Sequence, residues 1–174
     1  SYHQDAKYIG LKPYNWVTAW VAITDSNEHN GCMRMWSGSH KDNLKHHDQM
    51  FNEGNLLTRG QTVNNVPFDE TTPLILKAGQ MSLHHPTVVH GSELNKSNDR
   101  RIGFVIQSYI GTDVKQVLGK NSVQLARGVD KFNYHKKIDR PQSLMDKNDL
   151  KVKKHENDNL QKIFYAGSQQ QGKY

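Results

Sequence analysis

The strongest constraint on this chain is a series of short β-branched and aromatic runs, each cut off by a turn signal. They are residues 16–23 (WVTAWVAI), 32–36 (CMRMW), 73–77 (PLILK), 80–84 and 87–90 on either side of Pro86, and 101–110 (RIGFVIQSYI). Such runs suit pleated, half-buried strands. SGSH after Trp36, Ala78-Gly79 and Gly111 break the pattern. Short strands divided by Gly and Pro turns predict an all-β sandwich or barrel rather than βαβ units. At 174 residues the chain is long enough for one domain with a real core.

Two regions fall outside that pattern. Residues 40–72 are polar and rich in Asn and His, a stretch too long to be structureless in a compact domain, so a functional loop or short helices are expected there. After Gly111 the composition shifts towards Lys, Asp, Asn and Gln. A helix is expected over 147–164, with Leu150, Val152, Leu160, Ile163 and Phe164 as a partial apolar stripe. The last residues, GSQQQGKY, read as a frayed tail. The division that follows is a catalytic core at 1–112, expected to be partial, and an extension at 113–174 with a loop and a helix.

Lys+Arg 23 against Asp+Glu 17 leaves a net charge of +6, which permits an anionic partner. The one basic run, KVKKHE at 151–156, is flanked by acids and reads as a solvated face, so no nucleic-acid partner is expected. Cys32 is the single cysteine and cannot form an internal disulfide, which fits a reducing interior. The sequence has no apolar run long enough for a membrane span and no signal-like start. A cytoplasmic protein without a membrane partner is expected. The chain lacks an initiating methionine and begins inside a strand-like segment, as expected of a fragment. Its oligomeric state is not legible.

The opening SYHQDAKYIG sets His3 and Asp5 two residues apart. In a strand, positions i and i+2 share a face, so the pair can share one metal. The pattern is common by chance and needs a third donor. GQMSLHHPTVVHGSELNKSNDRRIGF holds His84, His85 and His90, and the strand-like TVV delivers His90 just before a glycine turn. His84 and His85 are rival ligands, although His85 precedes Pro86 and reads as pocket wall or structure. Two histidines and one carboxylate on one face of an octahedral ion form the donor set of non-haem Fe(II) oxygenases, with three positions left for a co-substrate and O2. Ser92 follows His90 by two residues, and Arg100 and Arg101 follow by ten and eleven. A guanidinium fork and a hydroxyl suit the far carboxylate of a dicarboxylic keto acid.

Read in order, HQD, WVAITDSNEHNGCMRMWSGSHK and LKAGQMSLHHPTVVHGS…NKSNDRR make a set that resembles the phytanoyl-CoA dioxygenase family of Fe(II)/2-oxoglutarate oxygenases. The resemblance covers about the first two thirds of the chain. It implies a mainly β fold: a double-stranded β-helix (jelly roll, cupin-like) with peripheral helices and iron at one open end. Family members carry further chain before the His-x-Asp strand, so an N-terminally truncated version is expected here. Carried over by position, His3, Asp5 and His90 are the implied iron ligands. Ser92 and Arg101, with Arg100 as the fallback, are implied to hold 2-oxoglutarate, and Trp20 to line its pocket. Related halogenases have a small residue where Asp5 stands, which favours hydroxylation over chlorination.

The implied activity is an Fe(II)- and 2-oxoglutarate-dependent dioxygenase. It would hydroxylate a C–H bond of a small organic molecule with O2, releasing succinate and CO2. The alternatives are desaturation or epimerisation on the same scaffold, or a jelly roll that binds metal or ligand without turnover. His46 and His47 are expected to face substrate or solvent about equally. Asn55, Arg59 and Gln61 are weaker substrate-facing candidates. The basic segment at 128–142 is expected as a surface loop, with covering of the active-site mouth as the alternative.

Overall fold

The structure is a computed structural model that describes residues 1–51, 55–57 and 59–168. Of the tail expected at 167–174, residues 169–174 lie outside that set. The chain is mainly β. Its described strands are β1 (Leu11–Lys12), β2 (Trp16–Ala22), β3 (Met33–Trp36), β4 (Asp48–Gln49), β5 (Gln61–Thr62), β6 (Thr71–Pro73), β7 (Met81–His84), β8 (His90–Ser92), β9 (Gly103–Ile110), β10 (Lys115–Gln116), β11 (Ser122–Val123) and β12 (Lys136–Lys137). They are followed by one helix, α1 (Lys147–Phe164).

Two antiparallel three-stranded sheets carry the architecture, ordered β7-β2-β9 and β6-β3-β8. Side chains of both line one cavity, so the sheets face each other without closing into a barrel. The alternation of β2 shows how the sequence builds this. Thr18 and Trp20 turn towards the cavity, while Val17 and Val21 turn outward. Across the second sheet, Arg34 on β3 is buried because every side of its guanidinium is occupied. It donates to Thr71 Oγ1 at 2.7 Å, the Thr71 carbonyl at 2.9 Å and Glu28 at 2.8 Å. The hydrophobic core lies at one end, where Ala6, Ile9, Leu11, Trp16 and Val114 cluster with Tyr8, Tyr14, Leu44, Ile110 and Phe164. Burial of Ile9, Leu11 and Val114 there contributes about 1.5–3 kcal/mol each.

Helix α1 spans the expected residues. Asp146 caps it by accepting from the Asn148 and Asp149 amides. Its last turn docks on the core: Ile163 is fully buried and Phe164 meets the edge of Tyr8 at 5.8 Å. Gly119 is the receiving surface, since a Cβ there would sit 2.8 Å from Ile163 Cγ1. In the 151–156 run, Lys151 to His155 are exposed, while Glu156 turns inward and accepts from the Ser122 amide and hydroxyl.

Three local expectations shift. Residues 87–89 are β-branched yet form a turn: the Val88 amide donates to the His85 carbonyl and Gln4 Nε2 reaches the Thr87 carbonyl, so β8 starts only at His90. The strand expected at 73–77 moves upstream to β6, because Arg34, Met35 and Trp36 pair with Thr71–Pro73, while Leu76 only bridges Ser26. Residues 40–72 hold short elements: the β4–β5 hairpin and 3₁₀ turns at Ser39–Lys41 and Phe68–Glu70.

Candidate active site

His3 reaches its place by a single β-bridge to His90, with amide–carbonyl bonds of 2.8 and 3.0 Å. The chain then leaves the extended conformation, and Asp5 opens a 3₁₀ turn, Asp5–Lys7, tied down by the Ala6 amide on the Pro86 carbonyl. His3 and Asp5 therefore share a side at a strand-to-turn junction rather than along a regular strand. Among the described residues, His3, Asp5 and His90 form the one cluster whose ligand atoms fit a metal ion, all lying within 4.8 Å of one another. All three are buried.

The distances are informative. His3 Nε2 lies 3.5 Å and His90 Nε2 3.9 Å from Asp5 Oδ1, and His84 Nε2 lies 3.5 Å from Asp5 Oδ2. These exceed hydrogen-bond lengths, yet they gather buried polar atoms around a shared centre. A cation among them resolves that arrangement, so the donor set fits a metal. His90 Nδ1 faces the Val88 carbonyl at 3.1 Å, which fixes the tautomer with a bare Nε2 lone pair. Burial, with the neighbouring His3 charge, lowers the His90 pKa to about 3, so its ring is neutral and able to ligate. Burial pushes the Asp5 carboxyl up, but the surrounding imidazoles of His3, His84 and His90 outweigh it and hold the group well below the carboxylate range. The buried Tyr8 phenol beside Asp5 is raised well above its usual value and stays a donor.

The cluster lies in a cavity of about 650 Å³ that also takes in Ser92, Arg101 and Trp20. Arg101 Nη2 is 3.4 Å from Ser92 Oγ, and its guanidinium carbon lies 5.7 Å above the Trp20 ring. Gly103 allows Trp20 to lie against β9, because a Cβ there would come within 2.1 Å of the ring. Arg100 is exposed outside this cavity, with its carbonyl accepting from Thr24. Leu56, Leu57 and Leu94 form an apolar rim.

The remaining candidates fall elsewhere. His47 is structural: its Nε2 accepts from the Gln4 amide at 3.1 Å while Nδ1 meets the Lys45 carbonyl. His46 pairs with exposed Asp48, and His85 with Thr87. Asn55 and Gln61 hold their own loop through the Met50 carbonyl and the Arg59 amide. The 128–142 segment lines a second cavity of about 660 Å³, with Asp130, His135 and Lys137. Tyr8, Thr18 and Gln107 were not singled out from sequence. Nothing marks a lone Thr or Gln inside a strand, although Tyr8, three residues beyond Asp5, was within reach of a turn argument.

A jelly roll whose cavity joins two imidazoles, a carboxylate and an arginine–serine pair has the architecture of Fe(II)/2-oxoglutarate-dependent oxygenases. Comparison with known proteins agrees. The family model described as Phytanoyl-CoA dioxygenase (PhyH) matches residues 1–103. Peroxisomal phytanoyl-CoA dioxygenase of Mus musculus is 32% identical over 134 residues, which are 73% of this chain and 38% of that protein. A solved structure described as "non-heme monooxygenase; ThoJ apo" superposes with a TM-score of 0.81 at 31% identity, covering 94% of this chain and 59% of that one. "CytC3 with Fe(II) and alpha-ketoglutarate" shares the fold, with a TM-score of 0.54 at 22% identity over 79% of this chain and 54% of that one. The chain belongs to the phytanoyl-CoA dioxygenase family, whose metal and co-substrate are iron and 2-oxoglutarate. It spans less than half the length of the mouse relative.

Proposed function

We propose that this chain carries the active site of an Fe(II)- and 2-oxoglutarate-dependent dioxygenase that hydroxylates a C–H bond of a small organic molecule. The observation that carries this reading is the His3–Asp5–His90 cluster sharing one cavity with Arg101 and Ser92. His3, Asp5 and His90 would hold iron, which when bound supplies the redox chemistry that couples O2 to oxidative decarboxylation of 2-oxoglutarate, giving succinate and CO2. The protein's part is positioning. Arg101 and Ser92 bind the distal carboxylate of the co-substrate, Trp20 walls it in, and the Val88 carbonyl orients the His90 ring. Leu56, Leu57 and Leu94 give the rim an apolar surface for a substrate and keep water from the centre. Asp5 stands at the position where a halogenase would need space, which favours hydroxylation.

The test is CO2 release from carboxyl-labelled 2-oxoglutarate, measured while a panel of small apolar compounds is added. A compound that stimulates release and gains the mass of one oxygen atom supports hydroxylation. A compound that stimulates release and instead loses two hydrogens points to desaturation and overturns that part of the reading.

A further inference from the structure

Asp5 is held at both of its oxygens. Its side chain is 4% exposed, and each of its two oxygens receives one hydroxyl. Tyr8 Oη donates to Oδ1 at 2.9 Å, and Thr18 Oγ1 donates to Oδ2 at 2.8 Å. The donors come from different elements: Tyr8 ends the 3₁₀ turn that Asp5 begins, and Thr18 is the central cavity-facing residue of β2. Oδ1 is the oxygen nearest His3 and His90, whereas Oδ2 faces His84.

A second irregularity meets at the same point. The β2–β9 ladder breaks register between Val17 and Ala19, opposite Gln107 and Ser108. Ser108 adopts φ +70°, the left-handed region that a residue with a side chain seldom enters. The bulge leaves Thr18 paired only with His84 of β7. It also brings Gln107 Nε2 to 3.5 Å from Tyr8 Oη, facing the cavity. Bulges and strained residues persist next to functional sites because they aim side chains there. Here both sides of the break serve the carboxylate, Thr18 directly and Gln107 through Tyr8.

Resting on the reading proposed above, we infer that Thr18 and Tyr8 are positioning residues that make Asp5 a one-oxygen ligand. A carboxylate has lone pairs on both oxygens and can chelate a cation through the pair. On an octahedral ion with three protein donors, a second Asp5 oxygen would take one of the three positions the chemistry needs open. Thr18 donates to Oδ2, the oxygen that faces His84 rather than His3 and His90, and so sets the rotation of the carboxylate. Tyr8 holds Oδ1 in place while leaving it a lone pair for the metal. Turning the carboxylate out of this plane breaks both bonds.

The experiment uses the full chain, anaerobic, with Fe(II) and then 2-oxoglutarate as probes. Metal affinity is measured by calorimetric titration, and co-substrate chelation by the visible charge-transfer absorption of the iron–keto acid complex. Thr18→Val keeps the shape and removes the hydroxyl, Thr18→Ser keeps the hydroxyl, and Tyr8→Phe removes the other donor. Thr18→Val is expected to bind metal roughly tenfold or more weakly and to show a weakened or shifted chelate band, with Thr18→Ser restoring both. Affinity and absorption of Thr18→Val equal to those of the unaltered chain overturn the inference. If Thr18→Val shows no cooperative melt, Tyr8→Phe decides: weaker metal binding supports the role and unchanged binding overturns it. Absence of metal binding by the unaltered chain overturns the site assignment itself.

Discussion

Replacing Arg101 by Gln tests the co-substrate anchor where the structure makes the sharpest distinction. Its guanidinium is half-buried between Ser92 at 3.4 Å and the Trp20 face at 5.7 Å, whereas neighbouring Arg100 is exposed and outside the cavity. A carboxylate in that fork gains two charge-assisted hydrogen bonds of about 1.5–3 kcal/mol each, taken singly. The fork is partly open to solvent and the two bonds are not additive, so a combined loss of about 2–4 kcal/mol is expected, or roughly 30- to 700-fold in the 2-oxoglutarate dissociation constant. The assay is titration of 2-oxoglutarate into anaerobic, Fe(II)-loaded protein. Iron affinity should stay within about threefold, since nothing joins Arg101 to His3, Asp5 or His90 directly. Arg100→Gln, the control, should shift the constant less than about twofold. An unchanged constant in Arg101→Gln, with a weakened one in Arg100→Gln, would refute the reasoning and move the anchor to Arg100.

Other outcomes follow from the same geometry. His90→Ala should abolish iron binding, and normal iron content by elemental analysis would contradict its role as a ligand. Ile163→Ala should lower stability by about 2–5 kcal/mol, read as a denaturation midpoint, because the fully buried side chain fixes the end of α1 against Gly119. A melt unchanged by that substitution would mean the helix does not dock. For His47, burial lowers the folded-state pKa to about 4 from 6.5, with the Lys45 carbonyl opposing. Between those values the unfolded chain binds the extra proton, so stability should fall as pH drops from 6.5 towards 4. His47→Gln should flatten that slope, and an equally steep melting-temperature profile would show that another group drives it.

The sequence exposed those parts of this molecule whose signal is local. β2 and β9 were legible because unbroken β-branched and aromatic runs have few other folds open to them, and α1 because a polar stretch still kept an apolar stripe ending in Ile163 and Phe164. The His3, Asp5 and His90 set was legible through its order along the chain. Residues 87–89 misled because β-branching alone cannot foresee a carbonyl pinned by Gln4 from 83 positions away. His47 fits neither of the two expectations, substrate or solvent, because its ring caps the Gln4 amide. Thr18 and Gln107 carry no pattern at all, and Tyr8 only its spacing from Asp5. Their roles arise from the strand-to-turn junction at Asp5 and from the register break in β9, which only the packed fold brings together. The same holds for the choice of Arg101 over Arg100, where adjacent residues of one type differ only in which side of the chain they occupy.

The most direct measurement is substrate-free turnover. The chain is loaded with Fe(II) under anaerobic conditions and given 2-oxoglutarate and O2, and succinate and CO2 are followed, with Asp5→Ala run in parallel. Succinate formed by the unaltered chain and absent from Asp5→Ala is the predicted result, and it would tie the oxygenase chemistry to this cluster. Iron bound equally by both, with no succinate that depends on Asp5, would contradict the account.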